Sequence, residues 1–118
     1  MRRLGLIGGG AFAVIALLAF AYPTIIGRIY SSDLPLGWTD KLTGITLAEI
    51  QQQIGPPQEE SNVKGFQHWI VRHWWGIQLL KIVSKNCQLQ EKPIAVVYFV
   101  YVDGRYNPVV TKTLGEAP

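Results

Sequence analysis

The N-terminal segment constrains this chain most, because a long stretch of it carries no charge. Arg2 and Arg3 precede residues 4–22, which contain no charged side chain. As a helix, residues 4–22 would extend about 28 Å at 1.5 Å per residue, close to the roughly 30 Å hydrocarbon core of a bilayer. The sequence therefore predicts a transmembrane anchor over residues 1–30. Six apolar residues are expected to face the membrane: Leu4, Ile7, Phe12, Ile15, Leu18 and Phe20.

A cleaved export signal is the alternative interpretation of the same segment. Ala19-Phe20-Ala21 fits the small-x-small pattern at which signal peptides are cut. The apolar run is longer than a usual signal-peptide core, which favours an uncleaved anchor. Positive charges before the run predict that the remainder crosses the membrane. The expected location is the inner membrane, single pass, with the C-terminal domain in the periplasm; the alternative is secretion after cleavage near Ala21.

Beyond the apolar segment, the chain is long enough for one small domain. We expect a linker over residues 31–44, a domain over 45–114 and a tail over 115–118. The formal net charge is +3, and Arg2 and Arg3 contribute two of these charges, so the exported part is nearly neutral. A nearly neutral domain without a basic stripe argues against nucleic-acid binding.

A short helix is predicted before the strands. Thr46 and Glu49 form a capping box, in which each side chain bonds a backbone amide of the helix start. Gly55 suits the left-handed position after the last turn, and Pro56 prevents continuation. A helix of two turns is not stable alone, so it must dock on a sheet.

The later half of the domain is predicted to be β-structure. Three strands are expected, over residues 67–75, 77–85 and 94–102, and a short edge strand is expected to return over residues 105–113. The third strand is apolar on both faces, because alternate residues point to opposite sides. One short helix covers only one face, so the sheet either curls over its second face or meets a partner there.

Several short motifs follow one another along the domain: Gly44-Ile45-Thr46, Glu49-Ile50, Ile54-Gly55-Pro56, Trp69, and Val97-Tyr98-Phe99 leading to Asp103-Gly104-Arg105. Their order resembles the SmpA/OmlA family over roughly residues 43–106. The resemblance implies an α+β fold, with a three-stranded antiparallel sheet and helical cover on one face. It also implies a role in membrane or outer-membrane protein assembly.

An aromatic cluster is the most distinctive soluble feature of the sequence. Trp74 and Trp75 are adjacent, so in a strand they point to opposite faces and one of them is expected to be exposed. Tryptophan is enriched among the anchors of protein interfaces and at membrane surfaces, whereas core packing is the alternative for Trp69. The predicted partner-binding residues are Trp69, Trp74, Trp75, Tyr98 and Tyr101.

No catalytic, cofactor-binding or metal-binding residue is predicted, and we expect a non-enzymatic binding protein. His68 and His73 are an odd number of residues apart, so a regular strand would direct them to opposite faces. Cys87 is the only cysteine, which excludes an internal disulfide. The thiol is therefore either reduced and partly buried or paired with a second copy in a homodimer. A released, inhibitor-like binding domain is the alternative function.

Overall fold

The computed structural model describes residues 2–117, with side chains from Val14 onward. Its first helix, α1, spans Arg2–Tyr30 and contains Pro23. Val14, Ile15, Leu17, Leu18 and Phe20 are exposed on this helix. The last turns behave differently, since Pro23, Ile26 and Gly27 are buried while Tyr22 and Tyr30 pack against the core.

Helix α2 spans Leu47–Ile54 and confirms the predicted capped helix. The Glu49 amide donates to the Thr46 hydroxyl, and the Glu49 carboxylate accepts from the Thr46 amide. Gly55 follows the last turn with φ 87°, and its amide donates to the Gln51 carbonyl. Leu47 and Ile50 are fully buried against the sheet, as the apolar spacing requires.

A short 3₁₀ helix, Asp40–Gly44, precedes α2 and lies over β5 and β4. It belongs to the stretch predicted as a linker. Trp38 and Leu42 are buried, so this stretch is a packed part of the domain's cover.

The sheet has five antiparallel strands in the order in which they occur in the chain. Their bounds are β1 (Glu59–Ser61), β2 (Phe66–His73), β3 (Gly76–Val83), β4 (Ala95–Val102) and β5 (Val110–Glu116).

The strand number corrects the expected three-stranded sheet. β1 is absent from the predicted strands, because Glu59 and Glu60 give no apolar alternation. β2 recruits it through backbone pairing and a hydrogen bond from the Gln67 amide group to Glu60. β5 begins several residues later than the predicted edge strand and takes in Gly115, which was assigned to the tail. It remains paired despite a register shift between Val96 and Val97.

The N-terminal part of the predicted fold class is also wrong. In the portion of the chain that the structure describes, no helix is both long and apolar enough to cross a bilayer. The expected anchor was to end near residue 30 before a linker, whereas α1 ends inside the domain, with Ile26 in the core. Three of the predicted membrane residues, Leu4, Ile7 and Phe12, lie outside the residues whose side chains are described.

The two faces of the sheet differ in cover. β4 alternates as predicted: Val96, Tyr98, Val100 and Val102 are buried, and the residues between them are half-buried. The buried side packs against α1, the 3₁₀ helix and α2 through a second set of apolar residues: Ile26, Trp38, Leu42, Leu47 and Ile50. We call this side of the sheet the covered face.

The turn between β2 and β3 requires glycine at its end. His73 pairs with Gly76, which leaves Trp74 and Trp75 as the connecting residues. A Cβ atom on Gly76 would overlap the Tyr101 carbonyl oxygen in the neighbouring strand β4. Because this neighbour is backbone, a side chain cannot be accommodated by a rotamer change.

We therefore expect Gly76→Ala to destabilise the fold by more than about 2 kcal/mol, since β3 must move away from β4. Thermal unfolding followed by circular dichroism measures the change. Gly44→Ala is the matched control, because its added Cβ would meet nothing within 4 Å. Equal stability of the two variants would contradict the close approach of β3 and β4.

Candidate functional site

A buried hydrogen-bond network joins the end of α1 to the covered face. The Tyr98 hydroxyl donates to the Tyr30 carbonyl oxygen at 2.5 Å. The Gln78 side-chain amide donates to both the Tyr98 hydroxyl and the Asp33 carbonyl, each at 2.8 Å. The Gln78 side-chain oxygen lies 2.7 Å from His73 Nε2. Strands β2, β3 and β4, the end of α1 and the segment after it are thus held together by polar groups that are satisfied only in this arrangement.

Aromatic rings surround the point where α1 leaves the domain. The Tyr22 and Trp74 ring centroids are 6.3 Å apart, and Tyr30 lies 4.5 Å from Trp75. His73 stacks on Trp75 at 4.7 Å. Tyr22 and Tyr30 occupy one side of α1 two turns apart, so the helix presents both rings to this turn of the sheet.

The adjacent tryptophans divide as predicted, one outward and one inward. Trp74 is 84% exposed, whereas Trp75 is 3% exposed beneath Tyr30. Both lie in the turn after β2 rather than inside the strand, so the outward direction of Trp74 comes from the turn and not from strand alternation.

The structure separates the five predicted partner-binding residues into two groups. Trp69, Trp75 and Tyr98 are in the core, and the Trp69 indole donates to the Gly55 carbonyl at 2.8 Å. These three stabilise the domain and do not present a surface. Trp74 is exposed, and Tyr101 is half-buried on the other side of the sheet.

That other side, which we call the open face, has an apolar centre. No described element packs over it, and strand register aligns its side chains in rows across β2, β3 and β4. One row contains Ile70, Leu79 and Phe99, and the next contains Arg72, Ile77 and Tyr101. Phe99 and Tyr101 are 6.1 Å apart between ring centroids.

Charged residues border the apolar centre of the open face. Lys81 Nζ lies 5.2 Å from the centre of the Phe66 ring, so its ammonium group sits over the aromatic surface. Arg72 is exposed on β2. Glu59 on the edge strand contacts His68 Nδ1 at 3.0 Å, while Glu116 lies at the opposite edge, beside Ala95. The middle strands therefore carry basic groups and the outer strands carry acidic ones.

The residues considered for metal or nucleophilic chemistry are dispersed. His68 lies on the open face and His73 on the covered face, which confirms the parity prediction. Cys87 is buried in the loop after β3, where its Sγ atom lies 3.4 Å from the Ser84 hydroxyl. Among residues with described side chains, no three His, Cys, Asp or Glu side chains come close enough to hold a metal ion.

Sequence reasoning missed part of this architecture. It identified Tyr101 on β4 as a candidate partner-binding residue, but not Ile70 on β2 and Leu79 on β3, which form an apolar row with Phe99. The signal was present as period-two alternation in both strands. Sequence reasoning also did not identify Gln78 as a core residue, because a glutamine gives no apolar signal. Its burial depends on its three partners, His73, Asp33 and Tyr98, which come from three separate segments.

Comparison with known proteins yields no matching family model, no similar curated protein and no similar solved structure. The resemblance to the SmpA/OmlA family therefore stays a prediction.

Burial raises the pKa of the Tyr98 hydroxyl above its ordinary 10.0; the Gln78 hydrogen bond partly offsets this, and Asp33 and Tyr30 add to it. The folded chain thus keeps Tyr98 neutral at a pH where the unfolded chain ionises it. The resulting stability is present below pH 10 and is lost as pH rises toward the folded-state pKa. One such group contributes a loss of about 1.4 kcal/mol per pH unit.

We expect Tyr98→Phe to lower stability at neutral pH by about 1–3 kcal/mol, because the Tyr30 carbonyl loses its donor. The variant should also lose stability less steeply above pH 10 than the parent chain. Thermal unfolding across alkaline pH measures both effects, with Tyr106→Phe as the control because Tyr106 is 99% exposed. Parallel alkaline curves for the parent and Tyr98→Phe would contradict the network.

Proposed function

We propose that this chain is a non-enzymatic, membrane-associated envelope protein whose domain binds a protein partner on the open face. The observation that carries the proposal is the apolar row of Ile70, Leu79 and Phe99, over which no described element packs. Leu79, in the middle of the row, is 9% exposed, and Ile70 and Phe99 beside it are half-buried. A small antiparallel sheet with one packed face ordinarily has a polar second face. Contiguous apolar surface bordered by charged residues is typical of protein interaction sites.

The charges of the open face define the chemistry of the partner. Arg72 and Lys81 flank the apolar centre on the middle strands, and Glu59 is already engaged by His68. A partner segment with apolar side chains and carboxylates facing these strands would complement both properties. The predicted role in protein assembly rests on the family resemblance alone.

Membrane association is supported by the outer surface of α1. Phe20 is 81% exposed, and the neighbouring Val14, Ile15, Leu17 and Leu18 are exposed in the same part of the helix. Burying such side chains in lipid contributes about 1.5–3 kcal/mol each. Tyr22 and Trp74 lie where this apolar part meets the domain, which suits the preference of aromatic rings for the membrane interface. The periplasmic location stays a prediction from the Arg2 and Arg3 charge bias.

The non-enzymatic role is supported by how the polar side chains are used. His73, Gln78 and Tyr98 engage one another and backbone carbonyls inside the domain. The ring of His68 is stacked on Phe66 and contacts Glu59 on a sheet surface. Neither set of side chains lines a cleft in which a substrate would be held.

A second candidate is a released, inhibitor-like binding domain produced by cleavage near Ala21. One observation favours it: the part of α1 that packs on the sheet begins at Tyr22, directly after the cleavage pattern. A chain starting at Tyr22 would retain the docked turns and lose the exposed apolar residues. The two candidates share the open face and differ only in membrane association.

For partner binding, we expect a photoreactive residue in place of Val97, on the open face, to crosslink to a protein in native envelope membranes. Adding Arg72→Glu and Lys81→Glu should reduce the yield about tenfold or more, because like charges would then face the partner's carboxylates. Gel shift and mass spectrometry identify the adduct.

Two controls accompany that experiment. Lys41→Glu, on the 3₁₀ helix, should leave the adduct unchanged, and a photoreactive residue in place of the exposed Gln52 on α2 should not form it. An adduct indifferent to charge reversal at Arg72 and Lys81 would contradict the proposed partner chemistry. An adduct of twice the chain's mass would mean that a second copy occupies the open face.

For membrane association, we expect the full chain to co-float with vesicles of phosphatidylcholine. Replacing Leu17, Leu18 and Phe20 by Ser should abolish flotation, since about 4 kcal/mol or more of apolar transfer free energy is removed. Replacing the exposed Leu36 and Leu89 by Ser is the control, because these residues lie away from α1. An intact mass from native envelopes that begins at Tyr22, together with no flotation, would favour the second candidate.

A further inference from the structure

A groove of about 590 Å³ lies between the end of α1 and the connection from β4 to β5. Pro23, Thr24 and Gly27 form one wall. Val109 forms the opposite wall and contacts the helix at Gly27. A Cβ atom added to Gly27 would lie 3.5 Å from the Val109 carbonyl oxygen. The remaining lining residues are Arg28, Ser31, Arg105, Val110 and Thr111. The groove thus joins the lipid-facing helix to the β-domain.

The charged residues that line the groove are all positive. Arg28 comes from the last turn of α1, and Arg105 comes from the turn after β4. No carboxylate lines the groove, and within the described side chains neither arginine forms an ion pair. Two separate segments therefore bring guanidinium groups to one depression without a protein anion to balance them. Thr24, Ser31 and Thr111 add hydroxyl groups, and the Ser31 hydroxyl donates to the Arg28 carbonyl.

The groove lies along α1 just beyond the exposed apolar residues that end at Phe20. At 1.5 Å per residue, Thr24 lies about 6 Å and Arg28 about 12 Å beyond Phe20 along the helix. The polar zone of a bilayer begins where its apolar core ends and is roughly 5–8 Å deep on each side. A long arginine side chain reaches this zone while its stem stays on apolar surface. Ile25 and Ile29 are exposed on the same docked turns.

We infer that this groove binds the phosphate of an anionic phospholipid headgroup. The inference rests on the proposed membrane association. Guanidinium groups bind phosphate through paired, charge-assisted hydrogen bonds, and the Thr24 and Thr111 hydroxyls offer further donors. The acyl chains of the bound lipid continue along the exposed apolar side of α1. Because the arginines come from different elements, headgroup binding also fixes the β4–β5 connection against the helix.

The test titrates the full chain, in micelles of a nonionic detergent, with a short-chain phosphatidic acid. Nuclear magnetic resonance shifts or calorimetry report the affinity. Arg28→Gln with Arg105→Gln should weaken binding about 25-fold, at about fivefold per arginine. Lys41→Gln with Lys92→Gln removes the same charge from exposed sites outside the groove and should leave the affinity unchanged.

Two further ligands distinguish the source of the anion. A fatty acid of matched chain length carries the charge without phosphate and should bind more weakly than phosphatidic acid. Inorganic phosphate carries the phosphate without chains and should bind more weakly as well. Equal binding of the fatty acid, or equal losses in the two double variants, would overturn the inference in favour of diffuse electrostatic attraction. Equal binding of inorganic phosphate would overturn the lipid as ligand.

The outcome is separable from that of the proposed function. If the parent chain and the Arg28→Gln, Arg105→Gln variant both co-float with phosphatidylcholine vesicles but bind phosphatidic acid equally, only the groove inference fails. If the parent chain does not float with neutral vesicles, membrane association itself fails.

Discussion

The arrangement of the whole chain depends on the polar contact between Tyr98 and the end of α1. Tyr98 and Gln78 are buried among the apolar residues of the covered face, and both require partners at fixed positions. Those partners are the carbonyl groups of Tyr30, the last residue of α1, and of Asp33 in the segment that follows, and both reach the sheet only when the last turns of α1 lie across β4. Ile26 then covers the neighbouring strand surface. The network thereby selects one orientation of the helix where apolar contact alone would permit several.

This orientation assigns different tasks to the two ends of α1. The docked turns close the covered face together with Trp38 and Leu42, so the domain needs no larger helix. The exposed apolar residues before Tyr22 are left pointing away from the sheet, beside Trp74. All the helices that the structure describes pack on the covered face, so the apolar row of the open face has no helix over it. Membrane association and partner binding are proposed from these two unpartnered surfaces, which arise from a single docking arrangement.

Local signals predicted the parts of the fold that are decided locally. The capping box at Thr46, the stop at Gly55 and the alternation of β4 all depend on neighbouring residues, and the structure confirms each. Trp74 and Trp75 divide between surface and core, but the turn after β2, and not the strand alternation assumed in the prediction, sets their directions. Of the candidate site, the β4 contribution through Tyr101 was identified, whereas its counterparts on β2 and β3 were not.

The remaining features depend on tertiary contacts that leave little trace in sequence. β1 is a polar edge strand recruited by β2, and β5 begins later than predicted because residues 103–109 form the connection after β4. α1 was treated as separate from the domain because its apolar residues form a continuous run. Nothing local distinguishes Ile26, which enters the core, from Phe20, which does not.

Partner binding on the sheet requires that one face is covered and that the other, apolar face is open. Solvent paramagnetic relaxation of methyl groups tests it directly in the full chain, using a soluble, neutral paramagnetic agent. We predict strong relaxation for the methyl groups of Ile77 and Val97 on the open face, and weak relaxation for Ile82 and Val96 on the covered face. Equal protection of both pairs in the isolated chain would contradict the account, because the open face would then already be covered.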